Sequence, residues 1–293
     1  MNKLVLLGVV VVAACQADNS GLAKKLDSID KKLDDLQKQV ARGGVGAQAP
    51  RPPARPEPDR SKTYAVPVEG DMMDGPADAK VTVVKAYDYA CPFCERVRPQ
   101  MEELRKKYGN DVRIVYKQFV VHPQIATAGA LAACAAAKQG KFQQLDALLW
   151  DKGYKNRQFD KDAGAGEAGG QTQRCWESSE GCPIVNGYAQ EVGLNLDKFK
   201  ADMKGECQQL IQKDMRDLTA LGVGSTPTFF INGRYMVGAA PTEAFATLVD
   251  EELKKANERI AAGTPAASYY QQWVLDKGLK QLERTMPQVE RQQ

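Results

Sequence analysis

The chain has 293 residues, 26% charged and 43% hydrophobic, with a formal net charge of +3. Its 40 basic and 37 acidic side chains nearly cancel and are interspersed, which excludes the electrostatic footprint of a nucleic-acid binder. The length exceeds one small domain, but about the first sixty residues have the wrong composition for a packed core, so one sizeable domain follows an extended N-terminal region.

Met1-Asn2-Lys3 supplies one positive side chain, and Leu4 to Val12 is an apolar run too short to span a bilayer, so residues 1–14 read as a signal peptide. The run ends Val12-Ala13-Ala14-Cys15, which resembles the lipobox of bacterial lipoproteins and implies cleavage before Cys15 and lipidation of that cysteine. Gln16 stands where an Asp often retains such proteins at the inner membrane. The resemblance therefore implies a periplasm-facing outer-membrane lipoprotein of the bacterial cell envelope. No other segment is apolar enough to cross a membrane. Export makes Cys91, Cys94, Cys134, Cys175, Cys182 and Cys207 disulfide or redox candidates, and six cysteines allow 15 pairings.

Within residues 15–42, apolar residues fall at Leu22, Leu26, Ile29, Leu33, Leu36 and Val40, an unbroken alternation of four and three that forms one seam of a coiled coil. With Leu26, Leu33 and Val40 at the a positions, Lys25 falls at g and Asp30 at the following e, which suits a parallel interchain pair and a homo-oligomer through residues 22–40. The other reading is a solvated helix on the protein's own surface. Residues 43–63 collect Pro50, Pro52, Pro53, Pro56 and Pro58 among Gly, Ala and Arg, the composition of a semi-rigid polyproline spacer that spans roughly 60 Å when fully extended.

The globular domain is expected over residues 64–257. Val81 to Tyr87 is rich in β-branched residues and reads as a buried strand, followed at once by a helix with Pro92 in its first turn. Val97, Met101 and Leu104 recur at helical spacing until Gly109-Asn110, with Pro99 expected to kink the run. Val112 to Phe119 reads as the second strand of a β-α-β unit. A helical insert is expected over about residues 123–222, interrupted by a Gly-rich stretch from Gly164 to Gly170. Thr228 to Asn232 and Arg234 to Val237 read as strands joined through Asn232-Gly233, a strong hairpin signal. A helix from Thr242 to Asn257 and a helical extension over 258–293 complete the chain.

Cys91-Pro92-Phe93-Cys94 lies between a strand and a helix. The first cysteine of such a pair meets unpaired backbone amides and the positive end of the helix dipole, so its thiolate is favoured; thiol pKa values there fall from about 8.5 to roughly 3.5–7.5. Cys91 is the expected nucleophile, and Cys94 is placed to attack a mixed disulfide on Cys91. Glu95 excludes the haem-attachment motif, which needs His there. His122 is the sole histidine, so zinc sites needing two are excluded. An all-cysteine zinc site using Cys175 and Cys182 would put six residues between them, too many for a knuckle. No metal and no cofactor is expected.

Gly222-Val223-Gly224-Ser225-Thr226-Pro227-Thr228 directly precedes a strand. Together with Tyr87-Asp88-Tyr89-Ala90-Cys91-Pro92-Phe93-Cys94, and with His122-Pro123 and Gln139-Gly140-Lys141-Phe142 between them, it resembles the DsbA-like thioredoxin-fold thiol-disulfide oxidoreductases over roughly residues 64–257. The resemblance implies an α/β thioredoxin-like fold with a helical insertion, here preceded by the coiled-coil segment and Pro-rich linker. It implies that Pro227 is a cis-proline facing the dithiol and that Thr226 offers its backbone to an extended client.

Two departures bear on activity. Strong oxidants of that family typically carry His at the second central position, where this chain has Phe93. Lys85, six residues before Cys91, takes a strand position where the family often has a buried acid near the resolving cysteine; a lysine there stabilises thiolate charge but is a poor copy of a carboxylate proton acceptor, and the other reading is that its ammonium snorkels to water. His122 reads as a structural or loop residue. Cys175 with Cys182, and Cys134 with Cys207, are candidate structural disulfides, since neither pair has the strand-helix setting that activates Cys91.

The expected function is thiol-disulfide exchange on exported thiol or disulfide proteins, with an unidentified redox partner resetting the dithiol. The alternative is a membrane-tethered client-binding or scaffold lipoprotein whose thioredoxin-like domain only docks.

Overall fold

The computed structural model describes residues 20–42, 58–159 and 174–282, and the chain divides into two units, 1–55 and 56–293. In the first, helix α1 (Ser20–Arg42) carries three seam residues, Leu26, Ile29 and Leu33, each more than half exposed. The side chains of Leu22, Leu36 and Val40, the signal segment, Cys15 and most of the Pro-rich spacer lie outside the described residues. No helix among the described residues is long and apolar enough to cross a membrane.

The second unit is built on a five-stranded sheet ordered β1-β3-β2-β4-β5. Strand β2 (Val81–Tyr87) is buried at every position, which is why it reads as a near-continuous β-branched run. It pairs in parallel with β3 (Val112–Gln118), placing Lys85 beside Tyr116, and antiparallel with β4 (Thr228–Ile231), placing Lys85 beside Phe229. The β2–β3 crossover contains α2 (Pro92–Arg96) and α3 (Arg98–Tyr108). The expected kink falls at Val97, two residues ahead of Pro99, because Pro99 opens α3 instead of interrupting it. A short strand, β1 (Met72–Asp74), runs antiparallel to β3 and has no signal in the sequence: three residues show no periodicity.

Strand β4 turns into β5 (Arg234–Val237) through Asn232 and Gly233, whose φ values of +43° and +82° make the mirror-image turn that matches strand twist. Asn232 Oδ1 accepts from the Thr82 amide at 2.8 Å and its Nδ2 donates to the Lys80 carbonyl at 3.1 Å, so the turn is pinned to the start of β2. A Cβ on Gly233 would meet the Tyr64 carbonyl oxygen at 2.5 Å, so that position requires glycine for space as well as for φ.

Alternation along the strands divides the core. Val83, Ile114, Phe229 and Ile231 face Val97, Met101 and Leu104 of the crossover and Phe245 and Val249 of α9 (Thr242–Ala261). Val84, Val115 and Phe230 face the other way, against Leu218 and Leu221 near the end of α8 (Glu206–Ala220) and against Tyr64 and Val66.

Between β3 and β4 sits the insert. Its central helix α4 (Pro123–Ala137) is rich in alanine and buried over most of its surface, since small side chains let α5 (Phe142–Leu148), α6 (Pro183–Glu191), α7 (Leu196–Lys204) and α8 close around it. A π-helical turn, Leu149–Tyr154, follows α5. The Gly-rich stretch 164–170 lies outside the described residues.

The C-terminal extension differs from the helix that its spacing suggests. After α9 come a 3₁₀ turn, Ala266–Ser268, and a π-helical turn, Tyr270–Leu275. The chain then runs back along the domain's first residues, with the Leu279 amide donating to the Thr63 carbonyl and the Ala65 amide to the Leu279 carbonyl. Leu279 packs there beside Tyr64 and Val66, whereas Trp273 lies against Arg259 and Lys277.

Candidate active site

Strand β2 ends at Tyr87, and the turn after it delivers Cys91 to the N-cap of α2 with extended backbone angles, φ −86° and ψ 118°. Pro92 fits the first helical turn, where a missing amide costs nothing. The amides of Cys94 and Glu95 point back to the Cys91 carbonyl. Both thiols are free and buried, Cys91 at 4% and Cys94 at 0% exposure. Because β4 pairs with β2, the segment before β4 arrives over the dithiol: the Thr226–Pro227 peptide is cis, and the Thr226 carbonyl oxygen lies 3.3 Å from Cys91 Sγ.

The two thiols are driven apart electrostatically. A hydrogen bond from Cys94 holds the Cys91 pKa down to about 6, against the opposing effect of burial, with help from Thr226 and from the amides of Cys94 and Phe93. Burial, followed by the hydrogen bond to Cys91 and that residue's charge, pushes Cys94 far up. This setting favours the thiolate at Cys91 and the protonated thiol at Cys94.

Asp88 organises the loops around them. Its buried carboxylate accepts from the Ala90 amide at 2.6 Å, from the Val121 and His122 amides at 2.6 and 2.8 Å, and lies 3.3 Å from His122 Nδ1. His122 itself is half exposed. Phe93 is 49% exposed, with the Arg96 guanidinium 5.0 Å from its ring centroid. Sequence reasoning places Asp88 within the motif but gives it no role; its only signal is an acid between two tyrosines at a strand end.

Lys85 is 2% exposed, its ammonium 5.3 Å and 5.8 Å from the ring centroids of Tyr87 and Tyr116. It lines a cleft of about 340 Å³ with Asp146 of α5 and Arg98 of α3. Sequence reasoning misses Asp146 entirely, because 51 residues lie between it and Cys94 and nothing local marks it. Cys134 is bonded to Cys207, joining α4 to α8, and Cys175 to Cys182, closing a small loop ahead of α6. Among the described residues no cluster of three or more His, Cys, Asp or Glu is placed to hold a metal ion.

The thioredoxin family model matches residues 68–251, which span both halves of this site. Among solved structures, a thioredoxin-like oxidoreductase from Silicibacter pomeroyi DSS-3 superposes with a TM-score of 0.50 at 24% identity, covering 64% of this chain and 94% of that one. BdbD from Bacillus subtilis, in its oxidised form, gives 0.52 at 18% identity, over 66% and 98%. A variant of alpha-DsbA1 from Wolbachia pipientis gives 0.51 at 15%, over 67% and 96%. These likenesses bear on the fold.

Curated relatives include Na(+)/H(+) antiporter NhaA of Herminiimonas arsenicoxydans, 30% identical over 58% of this chain, and NhaA 1 of Salinispora arenicola, 33% identical over 63%. The chain spans about a quarter of their length, 24% and 25% respectively. The family model covers more than half of the chain and takes in both the dithiol and the cis-proline loop, and the fold that carries them is the DsbA-like form with a helical insert; the chain belongs to the thioredoxin family.

Proposed function

We propose that the protein is a thiol-disulfide oxidoreductase acting on exported proteins through Cys91 and Cys94. One observation carries this reading: the free Cys91 sits at the N-cap of α2 beside the buried free Cys94, 3.3 Å from the Thr226 carbonyl at a cis-proline, a setting that draws its pKa below the usual thiol range. Cys91 attacks a client disulfide, or its own disulfide with Cys94 is attacked by a client thiolate, and the mixed disulfide is resolved by Cys94 or by the client. Thr226 and Pro227 support this as the edge along which an extended client segment adds as a strand, with exposed Phe93 beside it. The bridges Cys134–Cys207 and Cys175–Cys182 hold the insert and take no part in exchange.

The proposal extends to location. A lipid anchor at Cys15, an outer-membrane attachment and a periplasm-facing domain follow from the lipobox resemblance, and α1 pairs with a second copy through Leu26, Ile29 and Leu33, which lie exposed at heptad spacing.

The test is exchange with a reduced, unfolded client and with a scrambled one. The expected result is turnover in at least one assay that C91S abolishes. Wild-type protein without turnover in either would leave the tethered docking module as the account.

A further inference from the structure

Residues 276–282 lie beyond the range 68–251 that the thioredoxin family model matches, yet they are fastened to two parts of the domain. At Leu279 the chain pairs with the domain's first residues: its amide donates to the Thr63 carbonyl at 2.9 Å, and its carbonyl accepts from the Ala65 amide at 2.8 Å. The Tyr270 hydroxyl ties the preceding turn to the Val66 carbonyl at 2.8 Å. The Leu279 side chain packs on the apolar cluster that holds Tyr64, Val66, Leu218, Leu221 and Val223. Three residues on, the Leu282 amide donates to the Ala220 carbonyl at 3.1 Å.

That last contact falls where α8 becomes the cis-proline loop. Gly222, at φ +80°, reverses the chain after the helix; its amide donates to the Thr219 carbonyl and the Val223 amide to the Leu218 carbonyl, each at 3.0 Å. The last four carbonyls of an α-helix lack partners inside it, and for Ala220 the Leu282 amide supplies one. A Cβ on Gly222 would stand 2.8 Å from Leu282 Cδ2, so the leucine side chain closes directly onto the reversal. The far end of the loop is held by the sheet: Thr228 Oγ1 donates to the Ser225 carbonyl at 2.8 Å, and the Gly238 amide to the Pro227 carbonyl at 2.9 Å. Gly224 and Ser225, between the two fastenings, are exposed, and the next residue, Thr226, is the one that meets Cys91.

We propose that Leu282 is a positioning residue for the client edge: by fastening the near end of the cis-proline loop it keeps the Thr226 backbone in place before a client arrives. This rests on the exchange activity proposed above and concerns which clients that activity favours. An extended peptide that adds along Thr226 then meets an edge already formed and does not bear the cost of ordering the loop. A disulfide without a peptide backbone makes no use of that edge. Leu282 acts through residues 222–226 and not on the sulfurs, so its effect is on client affinity rather than on the chemical step.

The experiment is stopped-flow exchange of the reduced full-length protein with two disulfides, one linking a pair of unstructured peptides and the other dipyridyl disulfide, with C91S as the blank. L282A raises the half-saturating peptide concentration about five- to tenfold, the size expected when a loop segment must be ordered on binding, and changes the limiting rate less than about twofold. Its rate with dipyridyl disulfide also stays within about twofold of wild type. L282M, which keeps the apolar cover, restores the peptide value. Wild-type half-saturation in L282A would overturn the proposal. An equal loss with both disulfides would overturn it too, since the extension would then support the whole site rather than the client edge. Hydrogen exchange on the wild-type protein decides the matter if L282A does not fold: the Leu282 amide is expected to be protected as well as those of Gly222 and Val223, and exchange at the free-chain rate would overturn the proposal. If wild type exchanges with neither disulfide beyond the C91S blank, the exchange reading has failed, an outcome distinct from exchange that Leu282 does not influence.

Discussion

Cys91 Sγ lies 3.3 Å from the carbonyl oxygen of Thr226, although 135 positions separate the two residues in sequence. The contact exists because β2 and β4 are sheet neighbours, with Ala86 opposite Thr228, so the end of one strand and the start of the other meet on one edge. A client strand laid along Thr226 would bring its sulfur to the Cys91 thiolate.

Reactivity of Cys91 should follow its thiolate fraction. Its alkylation rate is expected to rise through an inflection near pH 6, the value at which the Cys94 hydrogen bond holds it. C94A removes the largest stabilising contribution and should move that inflection upward. An unchanged inflection in C94A would show that helix amides and Thr226 suffice.

Asp88 should matter for site geometry without touching the sulfurs of a client. Replacing it with alanine leaves three backbone amides without their acceptor, at Ala90, Val121 and His122. The expected loss is about 3 kcal/mol in chemical denaturation, since hydrogen bonds to a charged group contribute roughly 1.5–3 kcal/mol each and are not additive. A loss below about 1 kcal/mol would mean that solvent reaches these amides.

The structure also assigns different weights to the two insert bridges. Cys134–Cys207 spans 73 positions and Cys175–Cys182 spans 7. Loop-closure entropy gives about 4 kcal/mol for the first and about 2.5 kcal/mol for the second. Urea unfolding of C134A/C207A and C175A/C182A should show that order, with thiol exchange at Cys91 retained in both.

Lys117 forms a fully buried cluster with Asp71 at 2.7 Å and Asp214 at 2.6 Å. Burial, reinforced by the negative charge of Asp214, raises Asp71 to about 7 despite the attraction of Lys117. Folding therefore takes up a proton between the unfolded value of 3.8 and about 7. The stabilisation from that proton is fully present below the lower value and is lost as pH rises through the upper one. D71N should remove this dependence, while K117M, which strands two carboxylates, should cost about 3–5 kcal/mol at about pH 8. Stability curves against pH for the three proteins check both signs.

What the sequence made legible was what is local. Val81–Tyr87, Cys91-Pro92-Phe93-Cys94 and Asn232-Gly233 each carry their own signal, through β-branching, through spacing and through turn chemistry, and the sheet follows from them. Lys85 was legible as an anomaly on a buried strand. Asp146 was not, because its partners Tyr89 and Lys85 precede it by 57 and 61 positions and meet it only when α5 packs over the sheet. The extension after Ala261 was legible only in part: helical turns run as far as Leu275, and beyond them Leu279 owes its place to backbone hydrogen bonds with Thr63 and Ala65, which apolar spacing does not report.

The most direct test of the central claim is equilibration of the Cys91/Cys94 pair with glutathione buffers on the full-length protein. The account predicts a single two-electron couple with a potential between about −120 and −270 mV, while Cys134–Cys207 and Cys175–Cys182 stay intact. A dithiol that equilibrates with no glutathione buffer across that range would contradict it.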